Sequence, residues 1–323
     1  MKPSESRGLH GILVVDKPRG PTSHDIVRGA RRVFRTRQVG HAGTLDPMAT
    51  GVLVLLLGEA TKLSALATAA DKTYRAQVCF GRATDSHDAD GQTTAEAEVH
   101  PEDLSDAALS RALDSERLRS QQVPPAVSAI KLQGRRAYEL SRNGAPPELE
   151  PRPVRVRSLE IVERSGPLLT LELRVSKGYY VRALARDLGL ALGVPAHLSQ
   201  LRRLLSGSFS LAEACAWPLA DPPPEPLAVR LALARLLPTL RLTDAGVQRA
   251  RSGQPLSPDD FLDQPVLPRL ESNEGREPTL CAWTDPNGSP IALGAFESGA
   301  FRVRRGFSAE LVSSAEETSK GEP

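Results

Sequence analysis

The chain contains only three cysteines in 323 residues, at positions 79, 215 and 281. They are far apart and odd in number, and no two of them form a C-x-x-C pair. This spacing excludes a disulfide framework and a cysteine-based zinc site, and it is typical of proteins from a reducing compartment. We therefore expect a cytoplasmic protein.

Long hydrophobic runs and nucleotide-binding motifs are missing as well. No apolar run reaches membrane-spanning length, and the N-terminus lacks the apolar segment of a signal peptide. A P-loop and a G-x-G-x-x-G motif after a strand are also absent, which argues against a nucleotide cofactor. The six histidines are scattered, and residues 86–97 lack the first acid and the final glutamate of a calcium loop. We expect no cofactor, no metal and no membrane contact.

The chain as a whole is nearly neutral, since 41 Lys and Arg almost balance 39 Asp and Glu. Acidic residues are scarce only in two stretches. Residues 16–41 contain seven basic side chains against two acids, and residues 174–203 contain six against one. Two basic blocks in a nearly neutral chain predict a face that binds a polyanion such as nucleic acid.

The first basic block falls largely on a predicted helix. Thr22 and Asp25 have the spacing of a capping box, which places the start of the helix near His24. The apolar residues share one face at the helical period, and the opposite face carries Arg28, Arg31, Arg32 and Arg35. That face is either a solvated helix surface or a phosphate-binding one.

Residues 39–51 are the most unusual stretch, since they combine three glycines with Pro47 and precede the apolar run 52–57. The pattern predicts a shaped loop that presents Asp46 at the edge of a buried strand. A carboxylate there becomes protonated unless a cation compensates for its desolvation. The alternative is a tight turn with a solvated carboxylate.

A candidate cation for Asp46 is Arg182, at the start of a helix that we predict from about residue 181 to 192. Arginine can hold a carboxylate with two parallel hydrogen bonds, although Arg182 could equally cap a sheet. Three of the four tyrosines, Tyr74, Tyr179 and Tyr180, lie near basic residues. Aromatic rings beside positive charge suit stacking on an unpaired base.

The order of predicted elements indicates an α+β fold, because antiparallel strand pairs are interrupted by helices without strict alternation. We predict a main domain over residues 1–220 and a Pro-rich linker with a short helix over 221–238. A smaller β-rich module then spans 239–308, and an acidic, disordered tail spans 309–323.

Residues 40–51 resemble the signature of the TruB family of tRNA pseudouridine-55 synthases. Blocks spread over residues 11–210 resemble the same family in the same order: 16–20, 58–62, 72–74, 84–91, 122–125, 128–131, 177–182, 187–189 and 201–203. The resemblance implies a pseudouridine-synthase fold, in which a mixed, largely antiparallel central sheet is flanked by helices. It also implies a small C-terminal module similar to the PUA class of RNA-binding domains.

The resemblance also assigns roles to individual residues. Asp46 is implied as the catalytic aspartate, Arg182 as its partner and Tyr74 as the ring that stacks on the flipped uracil. Asp46 acts either on the anomeric carbon of the sugar or by abstracting a sugar proton. His41 fills the space that the base leaves. The remaining implied contacts are Lys62, Lys131, Tyr180 and Leu201 in the pocket, and Arg19, Arg28, Arg31, Arg32 and Arg202 on RNA.

The implied activity is isomerisation of uridine 55 in the T-loop of tRNA by a monomer without cofactor. The target base is flipped out of the loop, and the C-terminal module contacts the acceptor end of the tRNA. Two alternatives stay open: a non-catalytic RNA-binding or RNA-folding protein on the same scaffold, and a synthase for another uridine or RNA class.

Overall fold

The computed structural model describes residues 9–126, 131–132, 135–136, 149–263, 279–297, 299–308 and 311. The predicted acidic tail, 309–323, lies outside these residues apart from position 311. The side chain of Lys131 lies outside them too.

Most of the described residues belong to strands and short helices. The strands are β1 Gly11–Lys17, β2 Val39–His41, β3 Thr50–Leu57, β4 Lys72–Phe80, β5 Arg82–Thr84, β6 Thr93–Glu96, β7 Gln121–Gln122, β8 Lys131–Leu132, β9 Arg135–Arg136, β10 Arg152–Pro153, β11 Val156–Ser165, β12 Leu168–Val175, β13 Ala196–Ser206, β14 Phe209–Ser210, β15 Cys215–Ala216, β16 Thr239–Arg241, β17 Leu280–Thr284, β18 Pro290–Glu297 and β19 Ala300–Gly306. The α-helices are α1 Ser23–Val33, α2 Ser64–Ala69, α3 Asp106–Arg117, α4 Val181–Leu192, α5 Val229–Leu236 and α6 Asp244–Arg251, with 3₁₀ turns at Gly58–Leu63, Leu211–Glu213 and Pro258–Asp260.

A nine-stranded sheet forms the centre of the main domain. Its strand order is β11-β12-β4-β13-β3-β1-β15, with β14 beside β13 and β2 beside β3. Only the β13–β3 and β1–β15 pairs are parallel, and the other pairs are antiparallel. The prediction of an α+β fold with a mixed, largely antiparallel central sheet is therefore confirmed.

The apolar run predicted as a buried strand is β3, which is covered on both faces. Leu53, Leu55 and Leu57 point into the core below α1, α3 and α4. Val52, Val54 and Leu56 point into a second core, formed with the turn at Gly58–Leu63, α2 and α5. Burial on both faces explains why the run is continuous and does not alternate with polar residues.

Helices α1 and α4 begin close to where the sequence predicted. Thr22 caps α1, and its hydroxyl and the Asp25 carboxylate form the reciprocal bonds of a capping box. Helix α4 spans Val181–Leu192 and ends at Gly193, which adopts a left-handed conformation with φ of 70°. Both helices pack on the sheet, and their first turns contact the loop that carries Asp46. Ser23 of α1 donates to Leu45 O, and Arg182 of α4 pairs with Asp46.

A four-stranded sheet, β16-β17-β18-β19, forms the C-terminal module around the buried rings of Phe261, Trp283 and Phe301. This module contacts the main domain near the 3₁₀ turn at Gly58–Leu63, because Lys62 donates to Gly306 O and Glu59 accepts from Ser308 N. Among the described residues, we find no helix whose length and apolar content would let it cross a membrane.

Candidate active site

The loop between β2 and β3 presents Asp46 at the rim of the sheet. Asp46 begins a turn that is closed by a bond from Ala49 N to Asp46 O at 3.1 Å. The Leu45 backbone before it is held by Ser23, whose hydroxyl accepts from Leu45 N at 2.8 Å. The Asp46 side chain is 35% exposed, so it stands at a surface that solvent or a substrate can reach.

Two buried cations fasten this loop through its backbone carbonyls. Lys17 Nζ donates to Ala49 O at 2.7 Å and to Pro47 O at 3.3 Å. Arg203 donates from Nη2 to Gly43 O at 3.0 Å and from Nε to Val52 O at 2.6 Å. Burial lowers the pKa of Lys17 to about 8, although the negative charge of Asp46 opposes this shift.

Gly51, at the end of the same loop, permits the close approach of β13. Its φ is 98°, and a Cβ atom there would lie 2.2 Å from the carbonyl oxygen of Arg203. Only glycine fits that combination of backbone angle and contact. Backbone geometry and the contact with β13 therefore explain the last glycine of the sequence that resembles the family signature.

Arg182 meets Asp46 with two nitrogen atoms. Its Nε lies 2.9 Å from Oδ2 and its Nη2 lies 3.4 Å from Oδ1. The Arg182 side chain is only 6% exposed, and its Nη1 also donates to Ser86 O at 2.9 Å. Two contacts from one buried guanidinium hold the carboxylate in one orientation.

Asp88 is a second carboxylate beside the same guanidinium. Its Oδ2 lies 3.6 Å from Arg182 Nε, and its side chain is 8% exposed. Its Oδ1 accepts from Ser86 Oγ at 2.6 Å and from Asp90 N at 3.1 Å. Burial nevertheless raises the pKa of Asp88 above the ordinary range of aspartate.

Tyr74, Leu201 and Tyr180 lie on the elements that border this loop. Tyr74 on β4 and Leu201 on β13 are buried in the same apolar cluster as Leu45 and Met48 of the loop. Tyr180 immediately precedes α4 and is half-buried. The structure thus brings two rings and an apolar side chain to the elements around Asp46, and their roles toward a base remain predictions.

His41 ends β2 and is half-buried. Its Nδ1 is buried and has no hydrogen-bond partner among the described residues. Burial, together with the charges of Arg203 and His24, lowers the pKa of His41. Burial at this position therefore favours the neutral imidazole, and the role of His41 toward RNA stays a prediction.

Lys62, which the resemblance implies as a pocket residue, has described contacts with Glu59 and with the C-terminal module. Its ammonium pairs with Glu59 Oε2 at 2.6 Å and donates to Gly306 O at 2.8 Å. It also stands 5.7 Å from the centre of the Phe307 ring. These contacts place Lys62 between the main domain and the C-terminal module. Lys131 lies in the two-residue strand β8, and its side chain is outside the described atoms.

The five arginines implied as RNA contacts are exposed or, for Arg202, half-buried, and most of them have a protein partner. On α1, Arg28 pairs with Asp25, Arg31 donates to Val39 O, and Arg32 is exposed. Arg19 is exposed and pairs with Asp90 at 2.9 Å, whereas Arg202 pairs with Asp16 at 2.7 Å.

The expectation that residues 174–203 form part of a polyanion-binding face is wrong for two of its six cations. Arg182 and Arg203 are 5% and 1% exposed, since they serve the interior of the site.

Sequence reasoning missed Asp88, Lys17 and Arg203 as parts of the site. Asp88 was considered only within residues 86–97, which fail as a calcium loop, although residues 84–91 form one of the blocks that resemble the family. Lys17 and Arg203 lie in two further blocks. Membership of such a block was the available signal for all three residues.

Comparison with known proteins identifies the family of the chain. The family model described as "TruB family pseudouridylate synthase (N terminal domain)" matches residues 31–181, and "tRNA pseudouridylate synthase B C-terminal domain" matches residues 182–221. A Mycobacterium tuberculosis protein named tRNA pseudouridine synthase B is 45% identical over 251 residues, which cover 76% of this chain and 84% of the relative. Its namesake from Mycobacterium leprae is 45% identical over 264 residues, with 76% and 80% covered.

Solved structures share the fold at lower sequence identity. "Crystal Structure of a Cbf5-Nop10-Gar1 Complex" contains a chain with a TM-score of 0.69 and 24% identity, and the match covers 93% of this chain and 85% of that one. "Structure of H/ACA RNP bound to a substrate RNA containing 2'-deoxyuridine" contains one with a TM-score of 0.68 and 22% identity, with 96% and 88% covered. These two matches show the shared fold. The two family models, together with the identity to the mycobacterial proteins over most of both chains, show that the chain belongs to the TruB family of pseudouridine synthases.

Proposed function

We propose that this protein converts uridine 55 in the T-loop of tRNA to pseudouridine, with Asp46 as the catalytic carboxylate. Modification of tRNA by a TruB-type pseudouridine synthase is supported by relatives that carry that name over most of their length. The finer assignment to uridine 55 and to Asp46 rests on the resemblance of residues 40–51 and on the geometry of the site.

The observation that carries the proposal is the two-point contact between Arg182 and Asp46. A carboxylate that is one-third exposed and bonded to a buried guanidinium is accessible to a substrate and is held in one orientation. An accessible carboxylate held in one orientation is what either route at the sugar requires.

The reaction breaks the N-glycosidic bond of uridine, turns the uracil and joins it to the sugar through carbon 5. The proton on carbon 5 leaves to a base and the former glycosidic nitrogen gains one, so the isomerisation needs no oxidant or reductant. Asp46 either attacks the anomeric carbon or removes a sugar proton. Tyr74, buried in the cluster beneath the loop, stacks on the flipped base and stands ready for proton removal at carbon 5.

The exposed cations supply contacts to the RNA backbone. Arg32 on α1 is exposed, and Arg28, Arg19 and the half-buried Arg202 can exchange their carboxylate partners for phosphates. Strand β19 exposes Arg302, Arg304 and Arg305, which support contact of the C-terminal module with the acceptor end. Flipping the base costs a few kcal/mol, and stacking at about 1–3 kcal/mol per base offsets it.

The test is release of tritium from a T-stem-loop RNA that carries [5-³H]uridine at position 55. The wild-type protein is expected to release the label without added metal or nucleotide, and Asp46→Asn to be slower by about 10³-fold or more. Asp106→Asn is the matched control, because Asp106 also pairs with an arginine, Arg164 at 2.9 Å, but lies fully exposed on α3.

The outcomes separate the alternatives. Undiminished release by Asp46→Asn would exclude the proposed role of Asp46. Tight RNA binding with no release by the wild type would favour a non-catalytic RNA-binding protein. Release only when the label is placed at another uridine would favour a synthase of different specificity.

A further inference from the structure

We propose that Tyr179 and Glu116 are positioning residues for the isomerisation, acting through Arg182. The proposal rests on the function proposed above and concerns what holds the guanidinium against Asp46. Neither residue touches Asp46, and Glu116 lies on α3, a helix that supplies no group to the site.

Tyr179 and Glu116 form a buried hydrogen bond. The hydroxyl of Tyr179 donates to Glu116 Oε1 at 2.7 Å, and the two residues are 8% and 2% exposed. The other carboxylate oxygen, Oε2, accepts from Arg119 Nε at 2.6 Å. A nearly inaccessible glutamate is thereby partnered on both oxygens, which is the condition for keeping a buried charge.

The same arginine reaches into the helix that carries Arg182. Arg119 Nη2 lies 3.2 Å from Asp187 Oδ2, and Asp187 Oδ1 lies 2.7 Å from Arg186 Nε. Tyr179 and Asp187 therefore lie on either side of Arg182 in the chain. Tyr179 is tied to α3 through Glu116, and Asp187 is tied to the segment just after α3 through Arg119.

The start of α4 depends on these ties because it lacks a local cap. Tyr180 is the N-cap residue and makes no side-chain capping bond. Instead, Gln122 accepts from Tyr180 N at 2.8 Å and donates to Tyr180 O at 3.1 Å. Most helix starts are held by a local Ser, Thr, Asp or Asn, whereas this one is held by residues from α3 and β7.

Small shifts at this helix start matter for the guanidinium. One of the two Arg182–Asp46 contacts is 3.4 Å, which is already at the long end for a hydrogen bond. A displacement of about 1 Å at a reacting group can cost about 10²-fold in rate. Burial and the neighbouring Glu116 raise the pKa of Tyr179 well above its ordinary value, so its hydroxyl stays a donor throughout the working pH range.

The test compares Tyr179→Phe and Glu116→Gln with Asp114→Asn, a control that removes a carboxylate from the exposed face of the same helix. Single-turnover tritium release, RNA dissociation constant and melting temperature are measured for each. We expect Tyr179→Phe and Glu116→Gln to slow release by about 10-fold with RNA affinity within about 2-fold of wild type. Asp114→Asn should match the wild type in both.

A double-mutant cycle with Arg182→Lys separates positioning from general destabilisation. If Tyr179 acts through Arg182, adding Tyr179→Phe to Arg182→Lys slows release by less than about 2-fold further, because coupled residues are not additive. A further 10-fold loss, or parallel loss of affinity and rate, would overturn the proposal. Should Tyr179→Phe not fold, Arg119→Gln removes the contacts of Arg119 with Glu116 and Asp187 from a side chain that is 26% exposed, and the same outcomes apply.

Wild-type protein is assayed beside the variants. Active wild type with unchanged variants overturns only the positioning role. Inactive wild type overturns the proposed function and, with it, the positioning role.

Discussion

Arg182 and Asp46 stand 136 positions apart in the chain and meet through Nε and Oδ2 at 2.9 Å. The contact joins the first turn of α4 to the loop before β3, so it exists only when the sheet and its helices have assembled. Asp88, contributed by a third segment, lies 3.6 Å from the same Nε. Three segments of the chain therefore meet at the guanidinium of Arg182, and a substitution in one of them affects the contacts of the others.

Replacing Arg182 by lysine should slow turnover by about 10²-fold or more while RNA binding stays within a few-fold of wild type. Lysine keeps the charge but cannot bond both oxygens of Asp46 and Ser86 O with a rigid fork. Single-turnover rates and filter-binding isotherms with a T-stem-loop RNA measure the two quantities. A parallel fall in rate and affinity would contradict this division of roles.

Asp88→Asn should lower turnover by about 10-fold, because an amide group beside Arg182 no longer balances the guanidinium charge. The same variant should gain stability relative to wild type as pH rises. The pKa of Asp88 is raised by burial, so the folded wild type binds more protons than the unfolded chain between the ordinary aspartate pKa and the raised one, and it loses stability over that window. Urea unfolding at pH 3 to 7 tests the sign, and a constant difference between variant and wild type would contradict it.

Lys17→Met should reduce the free energy of unfolding by about 2 kcal/mol at pH 7, since buried carbonyls of the loop lose their donor. Between pH 8 and about 10.4, the unfolded chain binds the Lys17 proton and the folded wild type does not. The stability of the wild type should therefore rise relative to the variant over that range. Thermal unfolding at pH 7 and pH 9.5 measures both effects, and a gap that shrinks at pH 9.5 would be the wrong sign.

Gly51→Ala should destabilise the fold by about 3 kcal/mol or more, because a Cβ would overlap the Arg203 carbonyl at a φ of 98°. Gly193→Ala is the matched control, since that glycine has a φ of 70° with no atom within 4 Å of an added Cβ. We expect the control to cost only about 1 kcal/mol. Equal losses would mean that the close approach of β13 is unimportant.

Local patterns predicted much of the secondary structure near the site. The capping box at Thr22 and Asp25, the buried run of β3 and the bounds of α4 were all readable, because capping, burial and helix termination depend on neighbours in the chain. Asp46 was singled out for the same reason, since glycines and a proline surround it.

Contacts between distant segments were not readable in the same way. The sequence placed Arg203 in a basic block, whereas the structure buries it to hold Gly43 O and Val52 O. The sequence likewise did not show that Lys62 contacts Glu59 and, at the C-terminal module, Gly306 O. Whether a cation faces RNA or the interior depends on which segment packs over it, and no local pattern encodes that.

The sequence by itself determined the family resemblance, the shaped loop around Asp46 and the helix that begins beside Arg182. Tertiary structure alone decided that Asp46 and Asp88 share Arg182, and that Tyr179 and Glu116 tie its helix to α3. The physical reason is that these contacts depend on strand register and helix packing, which bring each pair of partners within about 4 Å only after the hydrophobic core has formed.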